Sequence, residues 1–473
     1  MALATLAGCG VHGLRLADIT RGMPDVFSEG EDATPAGEAG RWWERFEDPG
    51  LNALMEEAFA NNLDLIVAEQ RLAQTEAVAR ATGAAEWPQV EAGATGGRQS
   101  FGVSAGSSSL SAAGFNTGDF RLSATASYEL DLWKKIASRA RAARADALAS
   151  REDIKALYIS ISAQLADLYY LAIEQKAQLE LADRTIAAFE ETLARVESRY
   201  RAGLVPALDL YQSRQNLATA KAARPAFESN LDRTRHAISV LLGRFPGAEL
   251  AAQGSVLPEP PEFHVGLPSS LLRRRPDIEA ARLRVDASDY RVAEAMADRF
   301  PSFNLIGEYG GASDTLGTIL ESPNIFWNVF IQAAMPVIDG GRRKAEVERT
   351  DAAYNEALAR YRKALLTSFQ EVEDALSSAS ASKERIKMLE ERVRASESSL
   401  RLALDSYMAG LSDYLPVLAA QQGYYDASSA LLAARRQLIS DRIALARSLG
   451  GQWADRAAEK MTIGRTGRKD FMR

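Results

Sequence analysis

Residues 199–215 read RYRAGLVPALDLYQSRQ, and residues 406–422 repeat the pattern as SYMAGLSDYLPVLAAQQ. In both stretches an Ala-Gly-Leu triplet follows a long run without proline. Glycine at such a place ends a helix, because it adopts the left-handed conformation without a steric penalty. A repeat of long period dictates architecture before any local pattern does. The chain is therefore predicted to contain two copies of one structural unit.

The two copies extend well beyond these turns. Residues 61–72 (NNLDLIVAEQRL) align with residues 274–285 (RRPDIEAARLRV), which pairs Asp64 with Asp277. The stretch between the copies is rich in Pro and Gly and has no periodicity, as is typical of a connector. The predicted organisation is a residual lipoprotein signal (1–9), an extended N-terminal segment (10–50), a first repeat (51–243), a connector (244–268), a second repeat (269–450) and a C-terminal tail (451–473).

Residues 119–132 (DFRLSATASYELDL) alternate between apolar and polar side chains without an exception. A period of two is typical of a β-strand with one apolar and one polar face. A looser alternation at 326–338 is the counterpart in the second copy, and another strand-like run precedes each of these two. Each copy is therefore predicted to contain one β-hairpin, at 88–133 and at 301–338, which gives four strands in the chain.

Most of the remaining sequence is predicted to form helices of unusual length. No proline interrupts residues 134–201 or 342–408, and at 1.5 Å per residue each run could extend over roughly 100 Å. Apolar residues recur in steps of three and four, as in coiled helix packing. Shorter helices at about 206–242 and 413–449 are expected to return antiparallel to them. The predicted fold is mainly α, with four long antiparallel helices and four strands.

The composition excludes several classes of protein. A hydrophobic content of 47% supports a substantial buried surface, whereas a net charge of −7 argues against a protein that mainly binds nucleic acid. No run of 18 apolar residues predicts a transmembrane helix, although this test does not detect membrane β-strands. The only cysteine and the three histidines lie in unrelated contexts, so no metal site, cofactor or enzyme site is predicted.

The N-terminus reads MALATLAGCG, in which residues 6–9 have the form of a bacterial lipobox. In a lipobox the cysteine thiol becomes lipidated after signal cleavage, so Cys9 is the predicted lipid-attachment site. A working signal also needs a cationic region and an apolar core of about 7 to 15 residues, which is more than the segment before Cys9 offers. We therefore expect that translation starts further upstream or that the signal was trimmed.

The predicted strands need a cover for their apolar faces. Four strands cannot close a barrel, since about eight are the minimum for a membrane barrel. Two copies would supply eight strands and three copies twelve, with the polar faces lining a water-filled pore. The alternative is a coiled-coil protein with two exposed hairpins, but an uncharged apolar strand face makes a poor soluble surface.

Four stretches in their joint order carry a family resemblance: WWERFEDPGLNALMEEAFANN (42–62), SYELDLW (127–133), RYRAGLVPALDLYQSRQ (199–215) and RRRPDIEAAR (273–282). Over nearly its whole length the chain resembles the TolC-like outer-membrane efflux proteins, in particular the lipoproteins that serve resistance-nodulation-division pumps. The resemblance implies a homotrimer in the Gram-negative outer membrane, with a twelve-stranded β-barrel on an α-helical tunnel that extends into the periplasm. The implied partners are a periplasmic adaptor (membrane fusion) protein, an inner-membrane pump and outer-membrane lipid.

The implied function is passive export of drugs or other small solutes, with the energy supplied by the pump. The exit duct of a type I protein secretion system would use the same fold and remains an alternative. A lipid-anchored periplasmic scaffold that forms no pore is the other alternative.

The resemblance also assigns roles to residues around the two turns. The implied periplasmic tip and adaptor contact comprises Gly203, Leu204, Gly410 and Leu411, although turn chemistry alone would also explain the glycines. In the family, acidic residues just past the turns can ring the pore. Asp209 keeps an acid there, whereas Ala419 stands where relatives often have aspartate. The candidates for the tunnel constriction are Asp209, Tyr407, Asp413, Leu415 and Ala419, with buried helix packing as the alternative for Tyr407.

The stretch LLRRRPDI at 271–278 marks the start of a helix in the second copy. Pro276 and Asp277 suit a first helical turn, where proline loses no hydrogen bond and aspartate favours the positive helix end. Asp64 has the same place in the first copy. The three arginines of this stretch, Arg273, Arg274 and Arg275, have no counterpart in the first copy. We expect them to pair with acids near the connector or tunnel wall and to support trimer assembly.

Overall fold

The computed structural model describes residues 12, 13, 15, 24, 27, 40–101, 115–247, 256–263, 275–451 and 453–455, with the side chains of 100, 101, 115 and 116 excepted. Cys9, Arg273 and Arg274 lie outside the described residues. The elements are α1 (Pro49–Asn61), α2 (Leu63–Gly83), β1 (Gln89–Phe101), β2 (Phe115–Glu129), α3 (Lys135–Arg201), α4 (Ala207–Leu241), α5 (Pro276–Ala297), β3 (Ser302–Ser313), β4 (Ile325–Ala334), α6 (Arg342–Met408) and α7 (Leu415–Ser448). The prediction of a mainly helical chain with a few strands is confirmed.

The long helices form antiparallel pairs, as predicted. Ion pairs join α3 to α4 from Glu197–Arg214 (2.9 Å) through Glu190–Lys221 (2.7 Å) to Asp183–Arg224 (2.7 Å). Residue numbers fall along α3 as they rise along α4, which defines the antiparallel direction. Exposed pairs of this kind stabilise a protein by less than about 1 kcal/mol each, so their main effect is on the register of the two helices.

The chain divides into two compact units, each of which combines segments from both sequence repeats. The first unit takes Met1–Ile19, Leu72–Ser150 and Ala280–Tyr361, and the second takes Thr20–Arg71, Arg151–Glu279 and Arg362–Arg473.

The first unit contains a four-stranded antiparallel sheet in the order β1-β2-β3-β4. Its register places Tyr128 opposite Leu305, and Leu305 in turn opposite Ile331. Because directly opposed residues point to the same side of a sheet, most apolar positions of the four strands share one face, whereas Ile306, Phe326 and Phe330 lie on the other. Within the described strands, β1 and β4 each pair along one edge only.

The predicted strand ends were wrong by a few residues. Strand β2 ends at Glu129 rather than at 132, because the Asp131 side chain turns to cap α3 and accepts the backbone N–H groups of Ile136 (3.0 Å) and Ala137 (2.7 Å). Strand β4 ends at Ala334 rather than at 338, since Pro336 has no N–H to donate to β3.

Also in the first unit, the described N-terminal residues are fastened to α5 and α6. The carboxylate of Asp289, only 1% exposed, contacts His12 Nε2 (2.7 Å) and accepts the Arg15 backbone N–H (3.1 Å). The Arg15 guanidinium also pairs with Asp351 (2.6 Å) and lies 5.0 Å from the ring centre of Tyr354. A buried carboxylate needs such partners because desolvation penalises its charge, so His12 and Arg15 are part of the packed unit.

In the second unit, α3 supplies much of the core. Among the described helices it is the one that is long and apolar enough, by length and composition, to cross a membrane, and 61% of its most apolar window is buried inside the protein. Tyr158 and Tyr170 pack against Phe59 and Phe46, with ring centres 5.3 and 5.1 Å apart. This burial is typical of a core helix.

Candidate functional site

Both turns predicted from the repeated motif have the same backbone geometry. Gly203 (φ 71°) and Gly410 (φ 74°) adopt the left-handed conformation. The next residue then bonds back to the helix, from Leu204 N–H to the Arg199 carbonyl and from Leu411 N–H to the Ser406 carbonyl, both at 2.9 Å. This six-to-one bond is the Schellman arrangement, which requires a residue that tolerates positive φ. The two glycines therefore have a structural role in ending α3 and α6.

The two turns share one apolar cluster in the second unit. Its buried members are Val196, Leu210, Tyr407, Tyr414 and Val417. Inside it, the Tyr407 hydroxyl donates a hydrogen bond of 3.0 Å to the Asp209 carboxylate, and both side chains are buried. Burial raises the pKa of Tyr407, and the neighbouring Asp209 carboxylate raises it further, because both disfavour the phenolate.

Arg199 connects the first turn to the second. Its guanidinium donates to the carbonyls of Tyr407 (2.9 Å) and Met408 (2.6 Å) and lies 5.0 Å from the centre of the Tyr407 ring. It thus adds a second donor to the Tyr407 carbonyl, which also accepts the Gly410 N–H (3.0 Å), and it supplies a donor to the Met408 carbonyl at the end of α6. The sequence did not single out Arg199. The available signal was its place as the first residue of the repeated motif, aligned with Ser406.

The structure brings two of the five constriction candidates together and leaves the side chains of the other three exposed. Asp209 and Tyr407 form the buried hydrogen bond, whereas the side chains of Asp413, Leu415 and Ala419 are exposed. The burial of Tyr407 agrees with the packing role inferred from its heptad position. The carboxylate of Asp209 is occupied by the tyrosine hydroxyl.

Exposed leucines flank both turns. Leu204 is 67% and Leu411 82% exposed, and Leu208 and Leu415, which follow one turn of helix later, are exposed as well. Large apolar side chains that cluster in solvent mark contact surfaces for other molecules. The chain therefore presents apolar contact groups on both turns.

The helix starts of the two repeats use different groups. In the second repeat the Arg275 guanidinium binds both carboxylate oxygens of Asp277 (3.0 and 2.7 Å), and it also donates to Glu371 (2.6 Å) and to the Ser448 carbonyl (3.1 Å). Arg275 pairs with acids, as expected of the arginine cluster. It ties the start of α5 to α6 and to the last residue of α7.

In the first repeat, Asp64 lies in the first turn of α2, but the cap is Asn62. The Asn62 side-chain oxygen accepts the N–H groups of Asp64 (2.9 Å) and Leu65 (3.1 Å), and its amide donates to the Leu241 carbonyl (2.8 Å). Sequence reasoning missed Asn62, although asparagine is a favoured residue at this position. Among the described residues, no group of three or more His, Cys, Asp or Glu side chains could hold a metal ion.

An antiparallel sheet with one apolar face, in a chain whose helix pairs end in exposed apolar turns, has the features of a membrane channel. The chain belongs to the outer membrane efflux protein family, whose sequence profile matches residues 54–244 and 267–451. It is the outer-membrane exit channel of an efflux system, and its relatives are efflux channel proteins rather than enzymes.

The relatives are similar over almost their whole length. The pyoverdine export outer membrane protein OpmQ of Pseudomonas putida is 30% identical over 417 residues, which cover 87% of this chain and 88% of that protein. The toluene efflux pump outer membrane protein TtgF of Pseudomonas putida is 29% identical over 422 residues, with 89% and 87% covered.

Solved structures show the same fold. The outer-membrane channel OprN has a TM-score of 0.83 at 29% identity, with 93% of this chain and 96% of that chain covered. The outer membrane protein VceC of Vibrio cholerae has a TM-score of 0.80 at 26% identity, with 88% and 100% covered.

Proposed function

We propose that three copies of this chain form the channel, with a twelve-stranded β-barrel on a tunnel of α-helices, through which small solutes leave passively. The observation that carries the proposal is the four-stranded sheet, which has one apolar face and two edges that pair with nothing inside the described chain. Four strands are too few to close, and unpaired edges in a membrane leave backbone groups without partners. Additional copies supply those partners.

The turns at Gly203 and Gly410 form the periplasmic end of this channel. The exposed leucines Leu204 and Leu411 supply the contact surface for a periplasmic adaptor, which links the channel to an inner-membrane resistance-nodulation-division pump. Exposed Asp413, Leu415 and Ala419 are free to line the narrow part of the tunnel. The Tyr407–Asp209 hydrogen bond and the Arg199 contacts hold the two helix pairs together at this end, so they set how far the turns can separate.

The substrates are small organic solutes. The names of two relatives support this substrate class, since OpmQ is named for the export of pyoverdine and TtgF for the efflux of toluene. The same names favour solute efflux over type I secretion of polypeptides. Cys9 attaches the chain to lipid in the outer membrane, which mass spectrometry of the membrane-extracted N-terminus tests directly.

Reconstitution of the full-length protein tests the channel. We expect trimers that resist SDS, fractionation with the outer membrane and ion conductance in planar lipid bilayers. A soluble monomer would overturn the proposal, and a correct trimer without conductance would support the scaffold instead.

A paired variant separates the pore from its partner contact. In the double variant Leu204→Ser/Leu411→Ser we expect unchanged trimer and conductance, but loss of efflux in cells, because only the apolar contact surface is removed. A matched control is the double variant Leu316→Ser/Leu320→Ser, which exchanges two similarly exposed leucines (66% and 69%) in the loop between β3 and β4. If the double variant retains full efflux, the turns are not the partner contact.

A further inference from the structure

The first unit contains a junction between the two repeats that is closed by aromatic side chains. Where the first hairpin ends, the Trp133 ring stacks on Phe300 with 4.9 Å between ring centres, and its Nε1–H donates to the Pro301 carbonyl (2.8 Å). Phe300 and Pro301 lead into the second hairpin. Their counterparts before the first hairpin are Trp87 and Pro88, and Trp87 is 73% exposed.

The two hairpins are equivalent residue by residue. The prolines Pro88 and Pro301 align β1 with β3, and the helix starts at Lys135 and Arg342 align β2 with β4. Under this alignment the observed pair Gln89–Ser127 corresponds to Ser302–Ala334, which is also an observed pair. The repeat therefore preserves strand register, and the geometry of one junction can be transferred to the other.

At the second junction the aromatic residue on the strand-to-helix side is missing. Gly340 takes the place of Trp133, and Gly341 takes the place of Lys134. Both Lys134 (φ 62°) and Gly341 (φ 87°) have a positive φ angle, so the backbone has the same conformation at this position of the two junctions. A Cβ atom added to Gly340 or Gly341 would meet nothing within 4 Å. The chain thus has an exposed tryptophan at one free sheet edge and an open glycine turn at the other.

Transfer of the β2–β3 register predicts how β4 would pair with β1 of a second copy. The pair Tyr128–Leu305 becomes Met335 opposite Ala92, and the pair Ala126–Gly307 becomes Ala333 opposite Ala94. Each of these pairs matches two positions on the apolar face. A slip of one residue would place apolar side chains against the polar face, so the transferred register is consistent with the faces of both strands.

Trp87 itself does not belong to the apolar face. Its backbone is extended (φ −117°, ψ 152°), and because side chains alternate along an extended chain, it shares a side with Gln89 and Glu91. Tryptophans of a membrane belt lie on the lipid-facing surface. The position of Trp87 on the polar side calls for a protein contact instead.

We propose that Trp87 locks one copy of this chain to the next, with its ring packed over Gly340 and Gly341 of the neighbouring copy and with β1 paired to β4 in the register given above. Trp87 would thus pack across the junction between two copies as Trp133 packs across the junction between the two hairpins of one chain. The glycines leave the space for the larger indole. The proposal rests on the trimer of the proposed function and specifies which residues make its subunits fit.

A disulfide tests the register in the full-length protein. The pair Thr125–Glu308 transfers to Gln332 opposite Thr95, so Gln332→Cys/Thr95→Cys places two thiols directly across the predicted seam, at about 4.5 to 5.5 Å between Cα atoms. After oxidation and full denaturation we expect covalent trimers on a non-reducing gel. The matched control Gln332→Cys/Gly97→Cys displaces one thiol by two residues and should cross-link at least several-fold less.

The outcomes separate the register from the function. Trimers that cross-link in the control but not in the test variant would overturn the register and leave the channel intact. Absence of any trimer would instead overturn the proposed function. The unaltered chain, whose only cysteine is Cys9, must give no cross-linked trimer.

A second pair of variants tests Trp87. We expect Trp87→Ala to reduce the SDS-resistant trimer fraction on heating several-fold, Trp87→Phe to restore most of it, and Phe245→Ala, which removes an aromatic ring that is 92% exposed, to change nothing. If Trp87→Ala leaves the trimer fraction unchanged, the lock does not exist, whatever the disulfide shows.

Discussion

The two helical turns have the same backbone and opposite side-chain environments. Tyr200 and Tyr407 occupy equivalent positions before Gly203 and Gly410, yet Tyr200 is 42% exposed whereas Tyr407 is buried and bonded to Asp209. The repeat position of Asp209 is Pro416 in the second copy, so Tyr200 has no equivalent acceptor. Arg199 likewise reaches from the first turn to the second, and its counterpart Ser406 cannot return the contact. The repeat preserves backbone conformation at the two turns, whereas the polar contacts between the turns use side chains that have no equivalent in the other copy.

We expect the largest difference in stability loss between equivalent substitutions of the two repeats at the helix starts, Arg275 and Asn62. Arg275→Met removes the cation that binds Asp277 and the Ser448 carbonyl, and the nearer of two cations beside Glu371, since Arg447 remains 3.8 Å from that carboxylate. The loss of these charge-assisted hydrogen bonds costs about 3 kcal/mol. Asn62→Ala at the equivalent start removes a neutral cap and costs about 1 to 2 kcal/mol. Thermal unfolding of the purified protein measures both. Equal losses would mean that the ionic cluster contributes no more than an ordinary cap.

The second repeat also has a buried acid that depends on the N-terminal stretch. His12→Ala removes one partner of Asp289 and is expected to lower the stability of the first unit by about 2 kcal/mol, since a buried carboxylate loses a hydrogen bond. Asp289→Asn in the same chain should recover part of the loss, because an amide is cheaper to bury than a charge. Hydrogen exchange of α5 amides provides the measurement. A double variant less stable than His12→Ala alone would contradict this account.

At the turns, Arg199→Met is expected to expose the end of α6. Loss of two charge-assisted bonds should cost about 2 kcal/mol and raise amide exchange just after Gly410 by roughly thirtyfold. Arg201→Met is the matched control, since that side chain is 78% exposed. Similar exchange in the two variants would show that Arg199 does not hold the turn.

Tyr407→Phe is expected to have a smaller effect, about 1 kcal/mol, because it removes one buried hydrogen bond and leaves the ring in place. Tyr200→Phe at the equivalent exposed position should change stability by less than about 0.5 kcal/mol. The free energy of unfolding of each variant at pH 7, compared with that of the wild-type chain, measures this difference. If both phenylalanines behave alike, the Asp209 bond contributes nothing to the tip.

The same tyrosine predicts a pH dependence. The folded state raises the pKa of Tyr407 above its ordinary value of 10.0, so above that pH the unfolded chain releases the proton more readily and the folded state loses stability. Below pH 10 the phenol is protonated in both states and makes no pH-dependent contribution. The advantage of the wild-type chain over Tyr407→Phe should therefore be constant below pH 10 and shrink above it. If the difference in unfolding free energy between the wild-type chain and Tyr407→Phe instead widens above pH 10, the predicted direction of the pH dependence is wrong.

Sequence reasoning located the elements because their signals are long and local. The proline-free runs placed the ends of α3 and α6 within one residue, and strict alternation identified β2. The predicted ends of β2 and β4 were wrong because each end depends on a single residue. Asp131 caps α3 with its side chain, and Pro336 has no N–H to donate. The contacts of Arg199 were not predictable for another reason: they join residues more than 200 positions apart, and no periodicity records them.

The ion pairs between α3 and α4 have a consequence for the length of the molecule. Glu197–Arg214 and Glu190–Lys221 are separated by seven residues on each helix, which is also the period of the apolar stripe. Removal of seven residues from both helices would shorten the pair by about 10 Å and bring the next carboxylate and cation back into apposition. Over the stretch between these two pairs, a change of two helical turns keeps charge and packing in phase, whereas the next pair, Asp183–Arg224, lies seven residues further on α3 and only three further on α4.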